Sequence, residues 1–238
     1  LERKGEQIMK GVYFGDLHSF RDLGLILSNV EISPPQVKTK KIEIPGADGE
    51  IDITEFDGNV YYYNRTISLT FSATDAHKQW AYIYSRVCNA IHGKEMNIVF
   101  EDDPCYRWHG RVNVFAHSKM KSIGTIDIEI DTEPYKYTIK NSLEEVTWDD
   151  FNLETGIMQT FKDIAVEGTQ EVGVFGYRKN VVPVIIVAGT VSVTYNGKTT
   201  ALSQGRNKVL HIVIKEGKNT LTFTGSGTVS IEFAGGSL

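Results

Sequence analysis

Residues 42–63 read IEIPGADGEIDITEFDGNVYYY, and this stretch decides how the rest of the chain is read. Ile42 and Ile44, then Ile51 and Ile53, alternate with polar residues as they do on two short strands. Between them Pro45-Gly46 and Asp48-Gly49 supply two turn signals, because proline presets φ and glycine reaches positive φ without strain. The reading is a β-hairpin that projects. A two-stranded arm is barely stable alone in water, so a chain that keeps one is expected to lay it on something, and a neighbouring subunit is the simplest candidate. Of Tyr61, Tyr62 and Tyr63, alternate members must face opposite sides of a strand, so at least one is expected in the core and another at an edge or interface.

Outward from the arm the period of two persists. Ile67, Leu69 and Phe71 alternate with Thr66, Ser68 and Thr70, and Ile126, Ile128 and Ile130 alternate with Asp127, Glu129 and Asp131, which is the pattern of half-buried antiparallel strands. Val12 to Phe14, Met96 to Phe100 and Arg107 to Phe115 are further strands, the last two separated by a turn at Asp102, Asp103 and Pro104. One segment differs. From Asp75 to His92 the apolar residues Trp80, Ile83, Tyr84, Val87 and Ile91 fall three or four apart, the spacing of an amphipathic helix. Thr74 or Asp75 is expected to cap its start and Gly93 to end it.

After Lys140 an ill-patterned stretch to about Val166 reads as a linker and a leading strand. Beyond Gly173 short strands are expected at Val182 to Val187, Val191 to Tyr195, Val209 to Ile214, Leu221 to Thr224 and Val229 to Phe233. Ala188-Gly189, Asn196-Gly197, Glu216-Gly217 and Gly225-Ser226-Gly227 are expected as the turns between them. Pro183 to Val187, apolar throughout, is expected to be a central strand buried on both faces. The fold class is therefore mainly β: an α+β N-terminal domain with one helix (75–92) on a sheet over residues 9–139, and an all-β sandwich over 140–238. Residues 1–8, a charged run before Met9, read as a tag or a disordered arm.

Composition excludes several classes. With 41% hydrophobic and 23% charged residues the chain is too apolar to be disordered. Its net charge of -5 and the lack of a dense basic run disfavour specific nucleic-acid binding; Lys38, Lys40 and Lys41 read as a solvated strand edge. Cys88 and Cys105 read as free thiols. No run of about 18 apolar residues and no signal-peptide core occur, so residence in a cytoplasm and no membrane contact are expected.

Catalytic signatures are missing. His18, His77, His92, His109, His117 and His211 form no metal-ligand spacing and read as surface or capping residues. Asp102 and Asp103 are adjacent, so on a strand they would face opposite sides, which is wrong for paired-carboxylate chemistry. GxSxG, GxxxxGK[ST] and GxGxxG are all absent. No enzyme activity, catalytic residue, metal or cofactor is expected. Tyr61 to Tyr63, Tyr106 and Trp108 could stack on sugars or bases, but core and contact roles are the stronger expectation.

The order of YFGDLHSFRDLGLIL (13–27), PGADGEIDITE (45–55), YYYNRTISLTF (61–71), one helix, DIEIDTEPYKY (127–137) and KNTLTFTGSGTVSIEFAGGSL (218–238) resembles the distal tail proteins of siphophages. The likeness runs from about Lys10 to Leu238, with PGADGE, EPYKY and GGSL its most specific pieces. It implies a structural phage or prophage tail protein, assembled in the host cytoplasm and resident in the virion tail. The first domain would form a hexameric baseplate hub at the end of the tail tube, its arm embracing the next subunit through Pro45, Gly46, Asp48, Gly49 and Glu50. The second would be a galectin-like sandwich that docks baseplate or tail-tip proteins, while DNA passes through the lumen without specific binding. The alternative is a cell-wall carbohydrate-binding module. It is disfavoured because residues 173–238 hold no Trp, one His (His211) and only Arg178 and Arg206, short of a galectin sugar site.

Overall fold

The computed structural model describes residues 11–73, 76–119, 124–144 and 159–238. These form two compact units. The first holds the described residues up to Asp103 together with Trp108–Pro134; the second holds Pro104–Arg107 and Tyr135–Ser237. The expected helix cap at Thr74 or Asp75, the segment 1–8 and most of the expected linker lie outside the described residues.

The strands of the first unit are β1 (Val12–Phe14), β2 (Leu17–His18), β3 (Ile26–Ile32), β4 (Lys41–Glu43), β5 (Glu50–Asp52), β6 (Arg65–Ala73), β7 (Glu95–Phe100), β8 (Tyr106–Lys119) and β9 (Gly124–Thr132), with helix α1 (Ala76–Ile91) between β6 and β7. The main sheet runs β2-β1-β7-β8-β9-β6-β3 and every pairing in it is antiparallel. Ile67, Leu69 and Phe71 of β6 and Ile126, Ile128 and Ile130 of β9 are fully enclosed on one face, where Trp80, Val87 and Ile91 of α1 join them in a single core. Each such side chain stabilises the fold by roughly 1.5–3 kcal/mol through lost water contact, which is why the alternation is so regular. Gly124 lies under the Trp80 ring, where a Cβ would come within 2.0 Å of it. A bulge between Val114 and Ala116 of β8 turns Phe115 outward, leaving it 65% exposed. Gly93, at φ 75°, ends the helix, and its N–H donates to Val112 O.

The second unit is all β: β10 (Lys136–Thr138), β11 (Ile164–Gly176), β12 (Val184–Tyr195), β13 (Lys198–Ala201), β14 (Gly205–Lys208), β15 (Gly217–Glu232) and β16 (Gly236–Ser237). Two expected turns are not turns. β12 runs straight through Ala188-Gly189 and β15 through Gly225-Ser226-Gly227, with Gly189 paired to Gly227, and Gly168 of β11 paired to Gly225. Ile185, Val187, Val191, Val193 and Tyr195 of β12 are buried at one parity, and Leu221, Phe223, Val229 and Ile231 of β15 likewise, all in one core. The gaps in those series are filled by Gly189, Gly225 and Gly227. The three long strands therefore crease together at a line of glycines, and the same face of one sheet encloses the core on both sides of the line. At three of them no larger residue fits: a Cβ would lie 2.4 Å from Ser226 O at Gly189, 2.1 Å from Thr190 O at Gly225 and 2.2 Å from Ala188 O at Gly227, whereas at Gly168 it would meet nothing within 4 Å.

Val209 to Ile214 is the other correction. It forms a turn, with Ile212 N–H bonded to Val209 O, followed by a single bridge from Ile214 to Val181. Ile212 and Ile214 are buried from a loop while Leu210 is 75% exposed, so apolar alternation marked core residues there but not a strand. Asn196-Gly197 is a true hairpin turn, both residues at positive φ. Val184 to Val187 is central, between β15 and β14, but Val184 and Ile186 are only half-buried. The EPYKY and GGSL segments pair with each other, Lys136 with Ser237 and Tyr137 with Gly236. Gly235 lies against the Tyr177 ring and Lys179 N–H donates to Gly236 O.

Candidate assembly surface

The arm leaves the first unit where β3 ends and β6 begins. Gln36 O accepts from Tyr63 N–H and Lys38 N–H donates to Tyr61 O, each at 2.8 Å, with Val37 and Tyr62 bridged between them. Farther out, Ile53 N–H donates to Lys40 O and Lys40 N–H donates to Thr54 Oγ1, both at 2.9 Å. β4 and β5 then pair in the register Lys41–Asp52, Ile42–Ile51, Glu43–Glu50, as a two-stranded sheet apart from the others. Pro45, Gly46, Asp48, Gly49 and Glu50 are together at the far end, where Gly46 and Gly49 both take φ 83°.

From Glu31 to Asn64 not one residue is buried. One face of the ribbon carries Ile42, Ile44 and Ile51, which are 46%, 46% and 49% exposed, and Phe56 in the following loop is 77% exposed. The opposite face carries Lys41, Glu43, Glu50 and Asp52. Enclosing the isoleucine face and Phe56 would stabilise a contact by roughly 1 kcal/mol per side chain beyond their present burial. The expectation that one of the three tyrosines reaches the core is overturned: Tyr61 and Tyr63 are each 52% exposed and Tyr62 is half-buried, because the ribbon has left the sheet before they are reached.

The arm holds its shape through local polar contacts. Lys41 Nζ lies 3.0 Å from Glu50 Oε2, and that bond raises the lysine pKa. The hydroxyl and N–H of Thr54 hold the Asp52 carboxyl below its ordinary range. Tyr61 OH donates to Asp57 at 2.7 Å, lowering the acid and raising the phenol. Lys38 and Lys40 sit over the rings of Tyr63 and Phe56. The three lysines are solvated, as expected, and each also braces the arm.

At the root of the arm, Arg65 points inward in the same series as Ile67 and Leu69. It is only 8% exposed and stacks on the Trp108 ring at 4.1 Å. Burial lowers its pKa. Nothing in the sequence pattern singled it out, since a charged first residue of a strand reads as solvated.

The rest of the first unit offers less. An open depression on the polar face of the sheet is lined by Thr66, His92, Arg111, Asn113, Glu129 and Asp131, but Arg111 is already bonded to Gly93 O and Glu95. Of the expected surface or capping roles, His18 takes the second. It is buried, accepts from Phe20 and Arg21 N–H at Nδ1, and donates through Nε2 to Glu101. His92 accepts from Val114 N–H. Asp103 N–H closes the expected turn onto Phe100 O. Among the described residues no three of His, Cys, Asp or Glu gather as metal ligands, and no helix is long and apolar enough to cross a membrane.

No family model and no curated protein matches the chain. Among solved structures it is similar to the Dit protein (gp 19.1) of phage SPP1, described as a paradigm of the hub adsorption apparatus in phages infecting Gram-positive bacteria. The TM-score is 0.64 at 12% identity, over 96% of this chain and 99% of that one. Over nearly its whole length, then, the chain carries the fold of a siphophage distal tail hub protein.

Proposed function

We propose that this chain is the structural hub at the distal end of a phage tail tube, acting without catalysis. It assembles in the host cytoplasm and resides in the virion tail. The first unit forms a hexameric ring in which each arm lies on the next copy, at Pro45, Gly46, Asp48, Gly49 and Glu50. The second unit is a galectin-like docking module for baseplate or tail-tip proteins. The observation that carries this reading is the arm: an ordered ribbon with an unpartnered isoleucine face and no buried residue for more than thirty positions, in a chain whose fold matches a tail hub. Such a ribbon loses apolar exposure only by meeting another molecule. A net charge of -5 suits a lumen through which DNA passes without sticking.

The test is assembly of the full chain, read by light scattering after size exclusion and by negative-stain imaging. Rings of six are expected. Replacing Ile42 and Ile51 by Ser should abolish them while leaving thermal unfolding of the protomer within about 1 °C, since exposed substitutions of this kind change stability little. Rings that survive that double substitution would remove the arm from the assembly.

A further inference from the structure

Among the described residues three guanidinium groups enclose an Nε atom that has no partner: Arg65, Arg86 and Arg107. Arg86 donates through Nη2 to Leu23 O, and Arg107 is only half-buried. Arg65 is different. It is more than nine-tenths buried, and among the described residues its guanidinium has no ion pair and no hydrogen bond, only the Trp108 ring beneath it. Stacking on an indole offsets part of the loss of hydration, but a buried cation ordinarily also has a carboxylate. Of the guanidinium nitrogens only Nε is both fully enclosed and unpartnered, so the two terminal nitrogens are the atoms that an incoming ligand would meet.

The arm carries the complement. From Ile42 to Asp57 there are six acidic residues and no Lys or Arg. Glu50 is held by Lys41, Asp52 by Thr54 and Asp57 by Tyr61. Among the described residues the carboxylates of Glu43, Asp48 and Glu55 have no partner, and Glu43 stands directly opposite Glu50 in the register, an arrangement that disfavours the isolated ribbon. The arm cannot satisfy its own Arg65: that residue is at its root, and some 15 residues of extended chain put the tip up to roughly 45 Å away.

We infer that Arg65, stacked on Trp108, is the receiving site for a carboxylate from the arm of a second copy of this chain, with Asp48 at the tip as the donor of first choice. This rests on the arm reading above and makes it specific, since each protomer offers an acid at the arm's end and a buried cation at its root, the self-complementarity a closed ring requires. The pair would be both hydrogen-bonded and shielded from water, so it sets register as well as affinity.

The test uses the full chain and its self-association constant, measured by sedimentation over a concentration series. Arg65→Met keeps an apolar stem on Trp108 and removes the charge. Its protomer should unfold at the same or a higher temperature under dilute conditions, while association weakens on the order of 30-fold or more. Neutralising the arm with Glu43→Gln, Asp48→Asn and Glu55→Gln should weaken association comparably, and combining both changes should cost little beyond either alone. Additive losses, or an Arg65→Met protein that associates like the wild type, would overturn the inference. Replacing residues 41–54 by two glycines separates the two levels. If that deletion abolishes association and Arg65→Met does not, the arm reading stands and the Arg65 site falls. If wild type and deletion variant are equally monomeric or equally associated, both fall.

Discussion

The arm and the creased sheet of the second unit are both strand pairs punctuated by glycine, and they use it in opposite ways. A Cβ added at Gly46 or Gly49 would meet nothing within 4 Å; the residues are glycine because the chain must reverse at φ 83°. Around Gly225 and Gly227 neighbouring backbone presses in on the missing side chain, and the strand does not reverse at all. In the first case glycine relieves a dihedral alone; in the second it holds a positive φ and also vacates volume. One region is left exposed and intact, available to another molecule, whereas the other closes a core on itself.

The largest expected effect follows from the second use. Gly227→Ala places a methyl 2.2 Å from Ala188 O at a φ of 151°, so overlap and backbone strain add, at a cost of about 3 kcal/mol or more. Hydrogen exchange resolved by mass spectrometry should show β11, β12 and β15 losing protection together, because the crease couples all three, while β6 and β9 keep theirs. Unchanged protection across 184–232 would mean that the crease tolerates a side chain and that volume is not the reason for glycine there.

The same distinction explains what could be read in advance. The strands at Ile67 to Phe71 and Ile126 to Ile130 and the helix through Trp80, Val87 and Ile91 were legible because a single buried face imposes its period on the residues. The hairpin was legible because Pro45-Gly46 and Asp48-Gly49 stand between two isoleucine pairs. Gly189, Gly225 and Gly227 misled, since a glycine that vacates space looks in sequence like one that turns. Ile212 and Ile214 misled as well, alternating as a strand does while filling the core from a loop. Arg65 and the pairing of Tyr137 with Gly236 left no local signal, because burial of the first and partnership of the second depend on residues far away in the chain.

Two tyrosines sharpen the contrast at an intermediate scale. Tyr177, against Gly235 in the second unit, has its pKa pushed up to about 12 by burial and, secondarily, by Tyr106. Tyr61 in the arm is raised by its hydrogen bond to Asp57 instead, on an exposed site. A folded-state pKa above the unfolded value of 10.0 means that the native form holds its proton longer. The associated stability is complete below pH 10 and is lost as pH rises toward 12. The urea midpoint of the second unit should therefore fall over that window, and Tyr177→Phe should flatten the fall, whereas Tyr61→Phe should leave it unchanged. A Tyr177→Phe protein with the wild-type slope would assign the alkaline loss to other groups.

The smallest effect belongs to the arm's own glycine. At Gly49 an added methyl meets nothing within 4 Å, so Gly49→Ala brings only the strain of holding a non-glycine residue at φ 83°, about 1 kcal/mol. No core residue depends on that turn, and the strain should stay within the hairpin. Amide exchange at Ile42 and Ile51 should speed up several-fold while global unfolding is unmoved. The two outcomes together carry the point: a ribbon that frays without disturbing the unit it springs from is held to that unit by its root alone, and its tip has no partner among the described residues of its own chain. Coupled loss of protection in β6 or β9 on the same substitution would show instead that the arm supports the sheet from which it extends, and the contrast between an outward-facing ribbon and a self-enclosing one would no longer hold.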